Sequence, residues 1–110
     1  MPEDEWERDP GVLFMRRVFA AIEARQAELL GWLNMHWTDK GLRTARNMAL
    51  RLFERIWAGA ANQGARLGEE DAAELYVLCL AKVLQARGMS MPVGSLPEND
   101  LVKRLVEEAR

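Results

Sequence analysis

The run LYVLCLAKVL, Leu75 to Leu84, is apolar at nearly every angle of a helix, with Lys82 as its single charge. A helix with one apolar stripe can lie on a protein surface, but one that is apolar all round must be covered on every side or sit in a membrane. This run ends after about three turns, well short of the roughly 18 residues a bilayer span needs. It therefore predicts a central helix covered by other helices, and no membrane-spanning role. GEED places Glu69, Glu70 and Asp71 at the positive end of the helix dipole, and QARG places Arg87 at the negative end with Gly88 as the stop. The spacing predicts this helix over 69–87.

Three further segments carry a helical period and none shows strand alternation, so the chain reads as all-α, a four-helix bundle-like domain with one long N-terminal helix. That first helix is expected over 9–37, with Asp9 as the N-terminal cap and Pro10 in the first helical position, where a missing N–H costs nothing. At 100° per residue, Phe14, Met15, Val18, Phe19, Ile22, Leu29, Leu30, Trp32, Leu33 and Trp37 share an arc about half the circumference wide. The second helix, over 39–61, turns Leu42, Ala45, Met48, Ala49, Leu52, Phe53, Ile56 and Trp57 inward, and NQGARLG closes it. In the last helix, over 96–109, SLPE reads as a capping box of Ser95 and Glu98, followed by the narrow stripe Leu101, Val102, Leu105, Val106 and Ala109. Residues 1–8 read as an acidic, mobile arm from which Trp6 can fold back, and 9–110 as one helical domain.

The formal charge of −2, from 15 basic and 17 acidic side chains, gives no global attraction to polyanions. One cysteine allows no internal disulfide, and the acidic start lacks the basic and apolar segments of a signal peptide, so a reducing, cytoplasmic setting is expected. No cofactor or metal is expected. His36, the only histidine, falls on the apolar arc of the first helix near its last turn, where a ring N–H can serve a free carbonyl. Ligation of a metal or haem there lacks partners. Met35 diverges from His36 by about 100°, the residue three before His36 is Leu33 rather than a glutamate, and no second cysteine exists for a covalent haem. Cys79, set among Leu75, Leu80 and Val83, is expected to be an inert thiol with a raised pKa. No hydrolytic triad and no phosphate-binding loop is present.

Charge is asymmetric on the second helix. Lys40, Arg43, Arg51 and Arg55 fall within about 120° of one another, with Asn47 between them, Arg46 at the edge and Glu54 as the one interruption. The ridge has three readings: it lies along a phosphate backbone, it pairs with the acidic start of the third helix or with the N-terminal arm, or it is the solvated outer face that any surface helix shows. Arg25, within the apolar arc, either reaches the rim or pairs with a carboxylate.

The apolar faces together exceed what four helices need for one another. Trp6, Arg25, Trp32, Met35 and Trp37 are therefore expected at a surface for self-association or for another protein. The chain reads as a small non-enzymatic interaction or adaptor protein, homodimeric or a subunit of a larger assembly. Two alternatives are a nucleic-acid-associated protein using Lys40, Arg43, Arg46, Arg51 and Arg55, and a ligand- or haem-binding bundle using His36.

Overall fold

The apolar run forms the helix against which every other helix packs. The structure, a computed structural model, describes residues 9–36 and 41–109. Among these residues there are four α-helices and no strand: α1 (Pro10–Leu33), α2 (Leu42–Asn62), α3 (Glu69–Ala86) and α4 (Asp100–Glu108). Every residue of α3 from Leu75 to Ala81 is buried, so nearly two full turns meet protein at all angles. α1, α2 and α4 each lie against α3 and α4 also meets α2, whereas α1 and α2 come no closer than 8 Å between Cα atoms. The central position expected for this helix is therefore the observed one.

Side-chain partners fix the directions. Arg17 of α1 meets Glu69 at the start of α3, Gln26 meets Tyr76 farther along, and Leu29 and Trp32 lie beside Val77, so α1 and α3 run the same way. α2 runs opposite to α3: Phe53 stacks edge-on against Tyr76, and Arg87 just beyond α3 reaches Gly41 just before α2. α1 contributes Val18, Ile22, Leu29 and Leu30 to the buried interior, α2 contributes Ala45, Ala49, Phe53 and Ile56, and α4 contributes Val102 and Val106. Each enclosed leucine of α3, such as Leu75 or Leu80, stabilises the fold by about 1.5–3 kcal/mol.

Three helix ends use the same device. An amide five residues on bonds back into the last turn, with a left-handed residue just before it: Ala65 N–H to Ala60 O across Gly64 (φ +82°), and Met89 N–H to Leu84 O across Gly88 (φ +92°). The third case corrects the expected extent of α1. Asn34 sits at φ 54°, its amide and that of Met35 bond back to Gly31 and Leu30, and the helix stops at Leu33 rather than reaching residue 37. Asparagine tolerates the left-handed region better than other non-glycine residues, which makes it an effective stop. His36 thus lies beyond the helix and is exposed, not within the last turn on a buried arc.

At the N-termini, Asp9 caps α1 as expected, its Oδ1 accepting from Gly11 N–H at 2.8 Å with Pro10 in the first turn. The capping box at Ser95 does not form. Leu96 precedes Pro97 and is therefore biased away from helical backbone, so α4 begins only at Asp100. Ser95 Oγ instead donates to Pro92 O at 2.6 Å, and Asn99 is the cap, its Oδ1 accepting from Val102 N–H at 3.2 Å. The same Asn99 donates through Nδ2 to Asp71 at 2.8 Å and Glu74 at 2.7 Å, tying the start of α4 to α3. Asn99→Ala is expected to cost about 1–2 kcal/mol in urea unfolding, against about 0.5 kcal/mol for Ser95→Ala, the reverse of the order a Ser95 capping box requires.

Candidate functional site

The four carboxylates that open α3 decide which charged surfaces remain available, because each has a partner from outside its own helix. Glu69 accepts from Arg17 Nε at 3.1 Å, Glu70 from Arg25 Nη2, and Asp71 and Glu74 from Asn99. Arg25 also lies 3.8 Å from Glu28 on its own helix, and the Glu70 hydrogen bond raises its pKa above the ordinary arginine value. Of the two readings open for Arg25, the structure gives an intrachain pair across α1 and α3.

Around that pair lies a small polar recess of about 160 Å³, lined among others by Arg25, Glu28, Trp32, Glu74 and Ser95. Trp32 stands at its rim, 56% exposed. Met35, half-buried, follows Asn34 past the end of α1. Trp6, Trp37 and Lys40 lie outside the described residues. The structure adds residues that helix periodicity assigned to the core: Met15 and Phe19 of α1 are exposed, Phe19 to 51%, and Leu13 on another side of the same helix is exposed too. Leu13 and Met15 precede the contact of Arg17 with Glu69 and so reach past the start of α3, whereas Phe19 follows that contact and stands exposed beside the buried Val18. Phe14 finds cover, its ring edge-on to Trp57 of α2 at 6.3 Å.

On α2, Arg43, Arg51 and Arg55 are exposed, as are Asn47 and Glu54. Arg46 belongs to a different environment. It is half-buried and lies near enough to the Tyr76 hydroxyl to lower that group's pKa, so it faces inward, away from the ridge. One cation missing from the sequence reading joins the outer face: Arg87 donates from Nη1 to Gly41 O at 3.2 Å and sets Nη2 3.7 Å from the Met48 sulfur. No local pattern announces this, since Arg87 and Met48 stand 39 positions apart.

The interior holds one polar pair that hydropathy alone does not reveal. Tyr76, fully buried on α3, donates its hydroxyl to Oε1 of Gln26, which is 1% exposed on α1. Gln26 Nε2 has no acceptor among the described residues. A glutamine in the middle of an apolar arc was the available signal. Burial pushes the Tyr76 hydroxyl up to about 12, opposed by Arg46, and pushes the Cys79 thiol up to about 12 as well, in keeping with the inert thiol expected from its neighbours. Among the described residues no three His, Cys, Asp or Glu side chains converge as a metal site, and no helix is long and apolar enough to cross a membrane.

Two outcomes follow from this buried pair and thiol. Tyr76→Phe leaves Gln26 unsatisfied at both ends and is expected to cost about 1–3 kcal/mol in urea unfolding, while adding Gln26→Leu recovers at least about 1 kcal/mol; a double variant less stable than Tyr76→Phe contradicts the assignment. The folded chain holds the Cys79 and Tyr76 protons above the ordinary values of 9.0 and 10.0 at which the unfolded chain releases them. Stability from these groups is therefore complete below pH 9 and is lost as pH rises towards 12, at about 1.4 kcal/mol per pH unit for each group. Unfolding followed from pH 8 to 11.5 should show this fall, beginning nearer pH 10 in Cys79→Ala. Comparison of the chain with family models, curated proteins and solved structures finds no match.

Proposed function

We propose that this chain is a small non-enzymatic interaction protein, a four-helix bundle-like cytoplasmic module that acts as a homodimer or as a subunit of a larger assembly. The observation that carries the reading is the distribution of exposed apolar side chains. Leu13, Met15, Phe19 and Trp32 all belong to α1, while the other exposed large hydrophobics, Met48 and Val93, stand apart on other segments. Scattered apolar residues are ordinary on any surface, but their concentration on one helix, on more than one of its sides, marks a helix that gains by being covered.

α1 is suited to that role because it is long and only partly covered. Its 24 residues span about 36 Å, and it packs along α3, meeting α2 near its start, where the Phe14 ring stands edge-on to Trp57. Trp32 supplies a large amphipathic side chain of the kind that anchors protein interfaces, with Met35 three residues on in the sequence and Arg25 held in place by Glu70. Trp6 and Trp37, which the sequence assigns to the same interaction role, lie outside the described residues. The buried, high-pKa Cys79 and the engaged Tyr76 take structural parts in this reading.

Sedimentation equilibrium at about 50 µM, together with recovery of tagged protein from its native cell, tests this. A mass above the monomer, or a stoichiometric protein partner, is expected, and Phe19→Glu with Trp32→Ala should abolish either. A strict monomer that brings down no protein overturns the reading, as does association that survives both substitutions.

A further inference from the structure

The outer face of α2 carries a second surface of different chemistry. Arg43, Arg51 and Arg55 stand exposed on it, spread over about 18 Å of helix, with the neutral donors Thr44 and Asn47 exposed among them. Arg87 extends the face from the side. Its bond to Gly41 O and its contact with Met48 hold the guanidinium beside the first turns of α2, so this fourth cation is set in place by the fold. The acidic start of α3 is engaged elsewhere: Glu69, Glu70, Asp71 and Glu74 are held by Arg17, Arg25 and Asn99. Among the described residues Glu54 shares the face and Glu108 of α4 lines the same recess as Arg55, so the four arginines with these two carboxylates carry +2, while the −2 of the whole chain leaves −4 on everything else.

We propose that the outer face of α2, completed by Arg87, binds the phosphate backbone of a nucleic-acid duplex without reading its sequence. Arginines suit phosphate better than a diffuse lysine patch would, because Arg43, Arg51 and Arg55 can each present a planar fork of donors to two oxygens, Arg87 adds a fixed positive charge beside them, and Thr44 and Asn47 can donate to phosphate oxygens as neutral groups. The aromatic residues of α2 turn away from the ridge, Phe53 buried and Trp57 half-buried against Phe14 and Phe53, so the ridge has no platform for stacking unpaired bases, which favours a duplex over a single strand. Met48 is the one exposed large apolar residue on this helix, which offers nothing to insert into lipid. This surface is independent of the apolar face of α1, and either can fail without the other.

Fluorescence anisotropy with labelled 20-base-pair DNA and RNA duplexes of two unrelated sequences tests the proposal. Four neutralised phosphates imply that affinity falls roughly a hundredfold between 50 and 200 mM salt, and Arg51→Ala with Arg55→Ala should cut this to roughly tenfold and weaken binding at least tenfold at low salt. Arg51→Lys with Arg55→Lys should restore most of the affinity, and Lys103→Ala with Arg104→Ala on α4 should leave it unchanged; thermal melts confirm that each variant is folded. Whether DNA or RNA binds more tightly names the source of the backbone. No binding at 50 mM salt, equal binding by the Arg51→Ala/Arg55→Ala variant, a more than tenfold preference between the two sequences, or tighter binding to phosphatidylserine vesicles or poly-glutamate each overturns it.

Discussion

An 18-residue helix whose middle turns are apolar in every direction has no stable place at a water interface, and the arrangement of this protein follows from covering it. No single neighbour can cover more than a flank. α1 packs along one side in the same direction, α2 along another in the opposite direction, and α4 crosses the remainder while touching α2. α1 and α2 scarcely meet because α3 stands between them. Magnitudes decide which forces matter. The ion pairs Arg17–Glu69 and Arg25–Glu70 are largely solvated and contribute about 0.2–1 kcal/mol each, whereas each enclosed leucine of α3 contributes several times that. The pairs set the register of α1 along α3, and hydrophobic burial holds it there.

Where local chemistry settles the outcome, the amino-acid sequence can be read directly. The all-round apolar character of Leu75 to Leu84, the Asp9 cap before Pro10, and Gly64 and Gly88 as left-handed stops all have their consequences within a few residues, and all appear in the structure. Two local signals competed with others and lost. The apolar residues after Asn34 continue the helical period of α1, yet a left-handed Asn34 ends it; Ser95 and Glu98 have the spacing of a capping box, yet Pro97 restrains Leu96 and the cap passes to Asn99. The partners of the acidic start of α3 were illegible for another reason. Glu69 and Arg17 are 52 positions apart and Glu70 and Arg25 are 45, so only the packing of α1 against α3 brings them together. The pair of Gln26 and Tyr76 belongs to the same class.

That distribution of partners has consequences for the surface. Because α1 and Asn99 take the carboxylates of α3, the two outer helices present unlike faces: α1 carries exposed Phe19 and Trp32, and α2 carries Arg43, Arg51 and Arg55. On the readings proposed here the first face meets protein and the second meets phosphate, and the central helix keeps the two apart. Four of the chain's 15 basic side chains, Arg43, Arg51, Arg55 and Arg87, thereby stand together at the outer side of α2.

The dependence of the whole arrangement on α3 is open to direct measurement by native-state hydrogen exchange. If covering this helix organises the fold, the amides from Leu75 to Leu84 exchange only through global unfolding, with protection equal to the full unfolding free energy and rising with it in stabilising conditions. Those of the first turns of α1 and of α4 exchange through smaller openings. Protection in α3 no greater than in α4, or opening of α3 while α1 and α2 stay closed, contradicts the account.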